Sequence, residues 1–253
     1  MSLVMQGKLQ DFIADRVAGV KIAEVRIGLG YTAVKLDNGQ AGLAWTPKSM
    51  GGECTHLHNA GTLCEKPAME LLAGLTEARP LLRALGLATA NAALAAHPCP
   101  GATTVNALSP LGITADSRVA MVGYFGPVVS DLGKVGCHLD IIELDSSRPG
   151  VISPEQGKKA LKACDIAILT GTSLITGTLD DLLSSLGDPR GVLLLGPSAP
   201  LCPEIFADTP VTQISGARVL DCDSVFRVVS EGGGTRLFKP HVAFETVTLN
   251  RGN

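Results

Sequence analysis

From residue 118 onward the chain repeats one pattern, a short and nearly unbroken apolar run followed by a stretch of helical character. The runs are RVAMVG, LDIIEL, DIAILT and VLLLG, and the segments near 127–136, 154–163, 178–186 and 200–207 read as helices between and after them. A strand that does not alternate apolar with polar has both faces covered, which implies a parallel sheet with helices on either side. TQIS or ARVLD supplies a candidate fifth strand. The tail HVAFETVTL alternates and reads as one more, its sheet undetermined.

The first half follows a different grammar. KLQDFIADRVAG reads as an amphipathic helix with Leu9, Phe12, Ile13 and Val17 on one face. VRIG, YTAVKL and GLAWT come next as short strands, with Asp37-Asn38-Gly39 as the turn between the last two. Helices are expected around PAMELLAGL and ARPLLRALGLATANAALAA, with Pro67 and Pro80 in their first turns. The segment HPCPGATTVNALSPLGITADS is rich in Pro, Gly, Ser and Thr and marks a linker. The division expected is a small α+β domain over 1–96, a linker over 97–117 and a Rossmann-like α/β domain over 118–253.

A chain of 253 residues with 45% hydrophobic and 18% charged residues can bury a sizeable core. Aromatic residues make up 4% and the net charge is -3, which argues against a stacking platform for nucleic acid and against attraction to phosphate backbones or anionic membranes. No apolar run reaches the roughly 18 residues of a spanning helix. MSLVMQGKL does not have the layout of a signal peptide, and the seven scattered cysteines do not form a disulfide framework. A reduced, cytoplasmic setting is therefore expected, and a homo-oligomer stays open.

In open α/β sheets, ligands bind beyond the carboxyl ends of the strands. The first apolar run here ends in GYFGP and the second in Glu143 with Asp145, Ser146, Ser147 and Arg148; the third ends in TGTSLITGT and the fourth in GPSAP. These ends carry more donors and acceptors than turns need, so the rim is the expected ligand site. Glu143 lies where a nucleotide-binding fold places its ribose acid, but Gly123-x-x-Gly126 is not the full dinucleotide fingerprint. Thr178 with Asp181 fits a capping box, which leaves Thr170, Gly171, Thr172 and Ser173 freer to receive a ligand. No Lys follows these glycines, so this is not a P-loop, and Ser198 lacks the elbow of a nucleophile. A competing site is CTHLH, where Cys54, His56 and His58 form a donor set for zinc, copper or nickel, though not at the spacing of a zinc module.

GYFGP, Glu143, TGTSLITGTLDDLL and GPSAPL together resemble the family named "Putative heavy-metal chelation". IGLGYTAVKL, GLAWT, GTLCEKPAMELL and GLATANAAL resemble the domain that precedes it in that family. The resemblance implies an enolase N-terminal-like α+β domain followed by a Rossmann-like domain, with a cleft between them. It implies a prokaryotic protein that handles heavy metals or metal-binding cofactors, with no reaction attached. Carried onto this chain, the cleft uses Gly123, Phe125, Gly126, Pro127, Glu143, Thr170, Thr172, Gly196, Pro197 and Ser198, with Asn91 facing it from the first domain. CTHLH is not part of the pattern. Metal, if involved, then arrives chelated by a small organic ligand. The other readings are a ligand-sensing module whose domains close on a ligand, and a nucleotide- or S-adenosylmethionine-dependent transferase using Glu143. No cofactor and no catalytic residue are assigned.

Overall fold

The computed structural model describes residues 3–48, 56–143 and 148–249. Helix α1 (Val4–Ala14) continues through a 3-10 turn, so Leu9, Ile13 and Val17 are buried on one face. Strands β1 (Ile22–Ile27), β2 (Tyr31–Leu36) and β3 (Ala41–Trp45) form an antiparallel meander. Gly39 closes the second hairpin at φ +85°, and Asn38 Oδ1 accepts from Gln40 N at 3.0 Å. Helices α2 (Ala68–Leu72) and α3 (Pro80–Ala95) come next, with Pro67 at the N-cap of α2 and Pro80 inside the first turn of α3. Gly42 lets α3 approach the sheet, since a Cβ there would lie 2.2 Å from Ala88 O and Ala92 N.

The second sheet is built from β4 (Arg118–Val122), α4 (Gly126–Val135), β5 (His138–Ile142), α5 (Pro154–Ala163), β6 (Ile166–Thr170), α6 (Ser173–Thr176) and α7 (Leu179–Ser184). It continues with β7 (Gly191–Leu195), β8 (Gln213–Val219), α8 (Cys222–Ser230), α9 (Thr235–Phe238) and β9 (Val242–Thr248). The strand order is β5-β4-β6-β7-β8-β9, parallel throughout except that β9 pairs antiparallel with β8. The tail strand thus belongs to this sheet. From β4 the chain moves to one side for β5 and to the other for β6, which places the switch point between β4 and β6.

Several expectations change in detail. The segment near 178–186 holds α7, preceded by the one-turn α6, and the helix expected over 200–207 is a 3-10 turn at Pro203–Phe206. TQIS and ARVLD fall on one strand, β8, interrupted in composition but not in pairing by Gly216. The capping box at Thr178 does not form; its Oγ1 pairs with Thr176 Oγ1 at 2.9 Å instead.

The two sheets are joined by one continuous core. Leu9, Ile13, Val34 and Leu87 belong to the same cluster as Ala120, Leu169, Leu174 and Leu194. The opposite face of the three-stranded sheet packs Ala33 and Leu43 against Val225, Phe226 and Phe238. With α3 on one face and α8 on the other, β2 is buried almost along its length.

Polar ties reinforce the junction. Arg83, 2% exposed, donates to Ile175 O in α6 and to Glu77 O and Ala78 O before α3. Gln6 Nε2 donates to Leu174 O, and Asp180 caps α1 by accepting from Val4 N at 2.8 Å and Met5 N at 3.2 Å. Among the described residues no helix is long and apolar enough to cross a membrane.

Candidate functional site

The rim of the parallel sheet is assembled from glycines that bring neighbouring loops together. Gly123, directly after β4, has φ +92°, and a Cβ on it would lie 3.0 Å from Thr170 Cβ at the end of β6. Only glycine fits this turn without moving the threonine. Phe125 is the N-cap of α4, Pro127 sits in its first turn, and the Phe125 ring reaches across to Gly196 after β7. A Cβ on Gly196, which has φ +115°, would meet that ring at 3.4 Å. The loops after β4, β6 and β7 therefore touch one another through Gly123, Thr170, Phe125 and Gly196.

Glu143 braces this turn from the end of β5, its Oε1 accepting from Tyr124 N at 2.7 Å. Arg148 lies over the Tyr124 ring at 4.0 Å. Residues 144–147, including Asp145, Ser146 and Ser147, lie outside the described residues.

Thr170, which ends β6, and Thr172 just beyond it form a small hydroxyl relay. Thr170 Oγ1 and Thr172 Oγ1 are 3.0 Å apart, and Thr172 N donates to Thr170 Oγ1 at 3.3 Å. Each hydroxyl carries one hydrogen, and a pair of hydroxyls uses only one of them. One O–H donor of the pair thus has no protein acceptor among the described residues and is available at the rim. Ser173, by contrast, donates to Thr170 O at 2.6 Å and is buried.

Two residues expected at the site face elsewhere. Ser198 is 1% exposed, and its Oγ accepts from Trp45 N at 2.8 Å, so it ties the end of β3 to the loop after β7. Asn91 is 8% exposed, its Nδ2 donating to Leu43 O at 2.8 Å. It lines a crevice beside Leu201, Arg218 and Glu245 rather than touching the glycine turns. Gly126 and Pro197 lie within the rim loops, Gly126 opening α4 and Pro197 following Gly196. Sequence reasoning missed the Phe125–Gly196 contact and the capping role of Asp180, both of which join segments far apart in the chain.

Of the competing donor set, Cys54 lies outside the described residues. His56 and His58 are exposed, their rings edge to face at 4.9 Å, and His56 O accepts from Arg79. Among the described residues no three His, Cys, Asp or Glu side chains are grouped to hold a metal ion. The rim itself, over its described residues, supplies hydroxyl and carboxylate oxygens and no soft ligand, which is a poor donor set for a heavy-metal ion.

A doubly wound sheet with a polar rim at its switch point, joined to an α+β unit, defines a two-sheet α/β protein of Rossmann-like build. More specifically, the chain belongs to the family described as "Putative heavy-metal chelation". One profile with that description matches residues 106–248, and a companion profile with the same description matches 10–94.

Two solved structures share the fold. One, from Pyrococcus horikoshii, has a TM-score of 0.85 at 19% identity, covering 97% of this chain and 100% of that one. The other, from Desulfitobacterium hafniense, has a TM-score of 0.78 at 21% identity, covering 95% and 99%. Both are described as proteins of unknown function from the same family. An uncharacterised protein of Methanocaldococcus jannaschii is 29% identical over 126 residues, 48% of this chain and about half (48%) of that protein's length.

Proposed function

We propose that the rim at the carboxyl ends of β4, β5, β6 and β7 binds a small organic ligand that itself carries the metal. The observation that supports this most is the convergence of Gly123, Thr170, Phe125 and Gly196 at the switch point, with one threonine hydroxyl donor left free. The described residues do not fit a directly coordinated heavy-metal ion, so the family's description is met by a chelate in which the organic part supplies the metal's ligands. The free O–H and the remaining carboxylate oxygen of Glu143 suit the polar edge of such a compound, and the half-buried Phe125 ring suits its apolar face. The transferase reading is less favoured, since the glycine fingerprint is incomplete.

The test is native mass spectrometry of protein purified without denaturation, with thermal melting in ferric citrate and nickel citrate against the same free ions. A retained organic mass, or a rise in melting temperature with a chelate but not with its free ion, is expected for the parent and lost in Thr172→Val. A bare polypeptide that responds to neither chelate would remove the reading.

A further inference from the structure

A second crevice lies where α3 and the segment after it meet the loop 199–204 and β8. Its outer part is a cavity of about 200 Å³ lined by Arg16, His97, Cys99 and Glu204, with Leu94 and Leu201 as apolar walls. It continues into a narrow inner end of about 10 Å³, room for about one water molecule, where Asn91, Arg218 and Glu245 are exposed to it. Leu94, Pro98, Cys99 and Leu201 line both parts, so the two form one crevice. The glycine turns and threonines of the rim take no part in it.

The charges inside the crevice are unequally satisfied. At the inner end, Glu245 is 7% exposed and holds Arg218 in a bidentate pair, Nε donating to Oε2 at 3.2 Å and Nη2 to Oε1 at 2.5 Å. Asn91 Nδ2 is engaged with Leu43 O, and its Oδ1 accepts no hydrogen bond from the described residues. In the outer cavity, Arg16 lies over the Phe12 ring at 4.5 Å, and its guanidinium donates to no acceptor among the described residues. Glu204 is exposed, lies close enough to the Cys202 thiol to push its pKa up, and joins no ion pair among the described residues. A cation and an anion thus face one cavity without neutralising each other, an arrangement that suits a molecule carrying both charges. The volume is below that of pockets for drug-sized ligands, about 300–1,000 Å³.

We propose that this crevice binds a small zwitterion of the α-amino-acid class, its carboxylate on Arg16 and its ammonium on Glu204. The Cys99 thiol then lies beside the bound molecule. Burial together with Glu204 and Glu245 pushes that thiol's pKa up, which agrees with both carboxylates facing it. A planar guanidinium held on an aromatic ring is pre-organised for a bidentate carboxylate.

Cys99 reports occupancy directly. The full chain is alkylated with iodoacetamide in the presence of single free L-α-amino acids, with acetate and methylamine as single-charge controls, and each thiol is followed by peptide mass mapping. Exposed Cys64, which does not line the crevice, is the internal reference. A binding amino acid slows Cys99 about ten-fold when present at about ten times its Kd, and Cys64 is unchanged. Arg16→Gln and Glu204→Gln each remove the protection while keeping the parent's melting temperature. The proposal is overturned if no amino acid protects Cys99, if Cys64 slows equally, if acetate alone protects as fully, or if either variant stays protected.

Discussion

Cys202 shows how one buried thiol shapes the pH response of this protein. It is fully buried, and its pKa is pushed from 9.0 up to about 12, first by burial and then by the neighbouring Glu204 carboxylate. Above its ordinary value the unfolded chain releases the proton while the folded chain keeps it. The unfolded state then binds fewer protons, so stability falls as pH rises from about 9 to about 12, by about 1.4 kcal/mol per pH unit for this group. Urea unfolding at pH 9 and pH 11 measures the slope. Cys202→Ala should flatten it by about that amount, and an unchanged slope would show that this thiol is not held neutral. In the sequence Cys202 is one of seven scattered cysteines, and Glu204 as its neighbour is visible only once the 3-10 turn at Pro203–Phe206 is seen. Gly123 is similar: the turn is readable, whereas Thr170 as the neighbour that forbids a Cβ is not.

Among the elements, α1 depends on a cap supplied from far along the chain. Leu3, its N-cap, makes no side-chain cap bond, and Asp180 of α7 accepts from both Val4 N and Met5 N. Removing such an acceptor costs about 1 kcal/mol, so Asp180→Ala should lower stability by that amount. It should also speed amide hydrogen exchange at Val4 and Met5 while the exchange of β6 and β7 amides keeps pace only with the global change. Equal acceleration at all of these amides would mean that Asp180 acts on the whole fold rather than on α1. The apolar runs of the parallel sheet are legible because strands buried on both faces cannot be polar anywhere. Strand β8 reads as two pieces because Gly216 breaks its apolar run; the glycine is there because a Cβ would lie 2.4 Å from Ala199 O. Helix α8 escapes the strand-and-helix reading, although Asp221 accepts from Ser224 N as its N-cap and Val225, Phe226 and Val229 are buried at helical spacing. Its face is matched to the three-stranded sheet, so its partner lies some 180 residues earlier in the sequence and leaves no local mark.

For the whole molecule, the question is whether the two sheets behave as two bodies or one. The composition of 97–117 suggests a boundary, yet the principal core cluster runs through both sheets, and Thr103 within that segment bridges to Thr246 of β9. Arg83 adds a buried cation held by carbonyls on both sides of the junction, and opening the junction would take its donors away from those carbonyls. Such a junction opposes a hinge that closes on a ligand, which is the motion a two-domain sensor needs. A shared core should make unfolding a single cooperative event. Trp45, the single tryptophan of the chain, donates its amide to Ser198 across the junction, so its fluorescence reports on undocking, while far-ultraviolet circular dichroism reports on helices of both halves. The two signals should change at the same urea concentration. Calorimetry should show one peak with an unfolding enthalpy of about 180 kcal/mol near 60 °C and a van't Hoff value that matches it. Fluorescence changing before the helices melt, or two calorimetric peaks, would mean that the halves separate first, and the hinged sensor would then regain its footing.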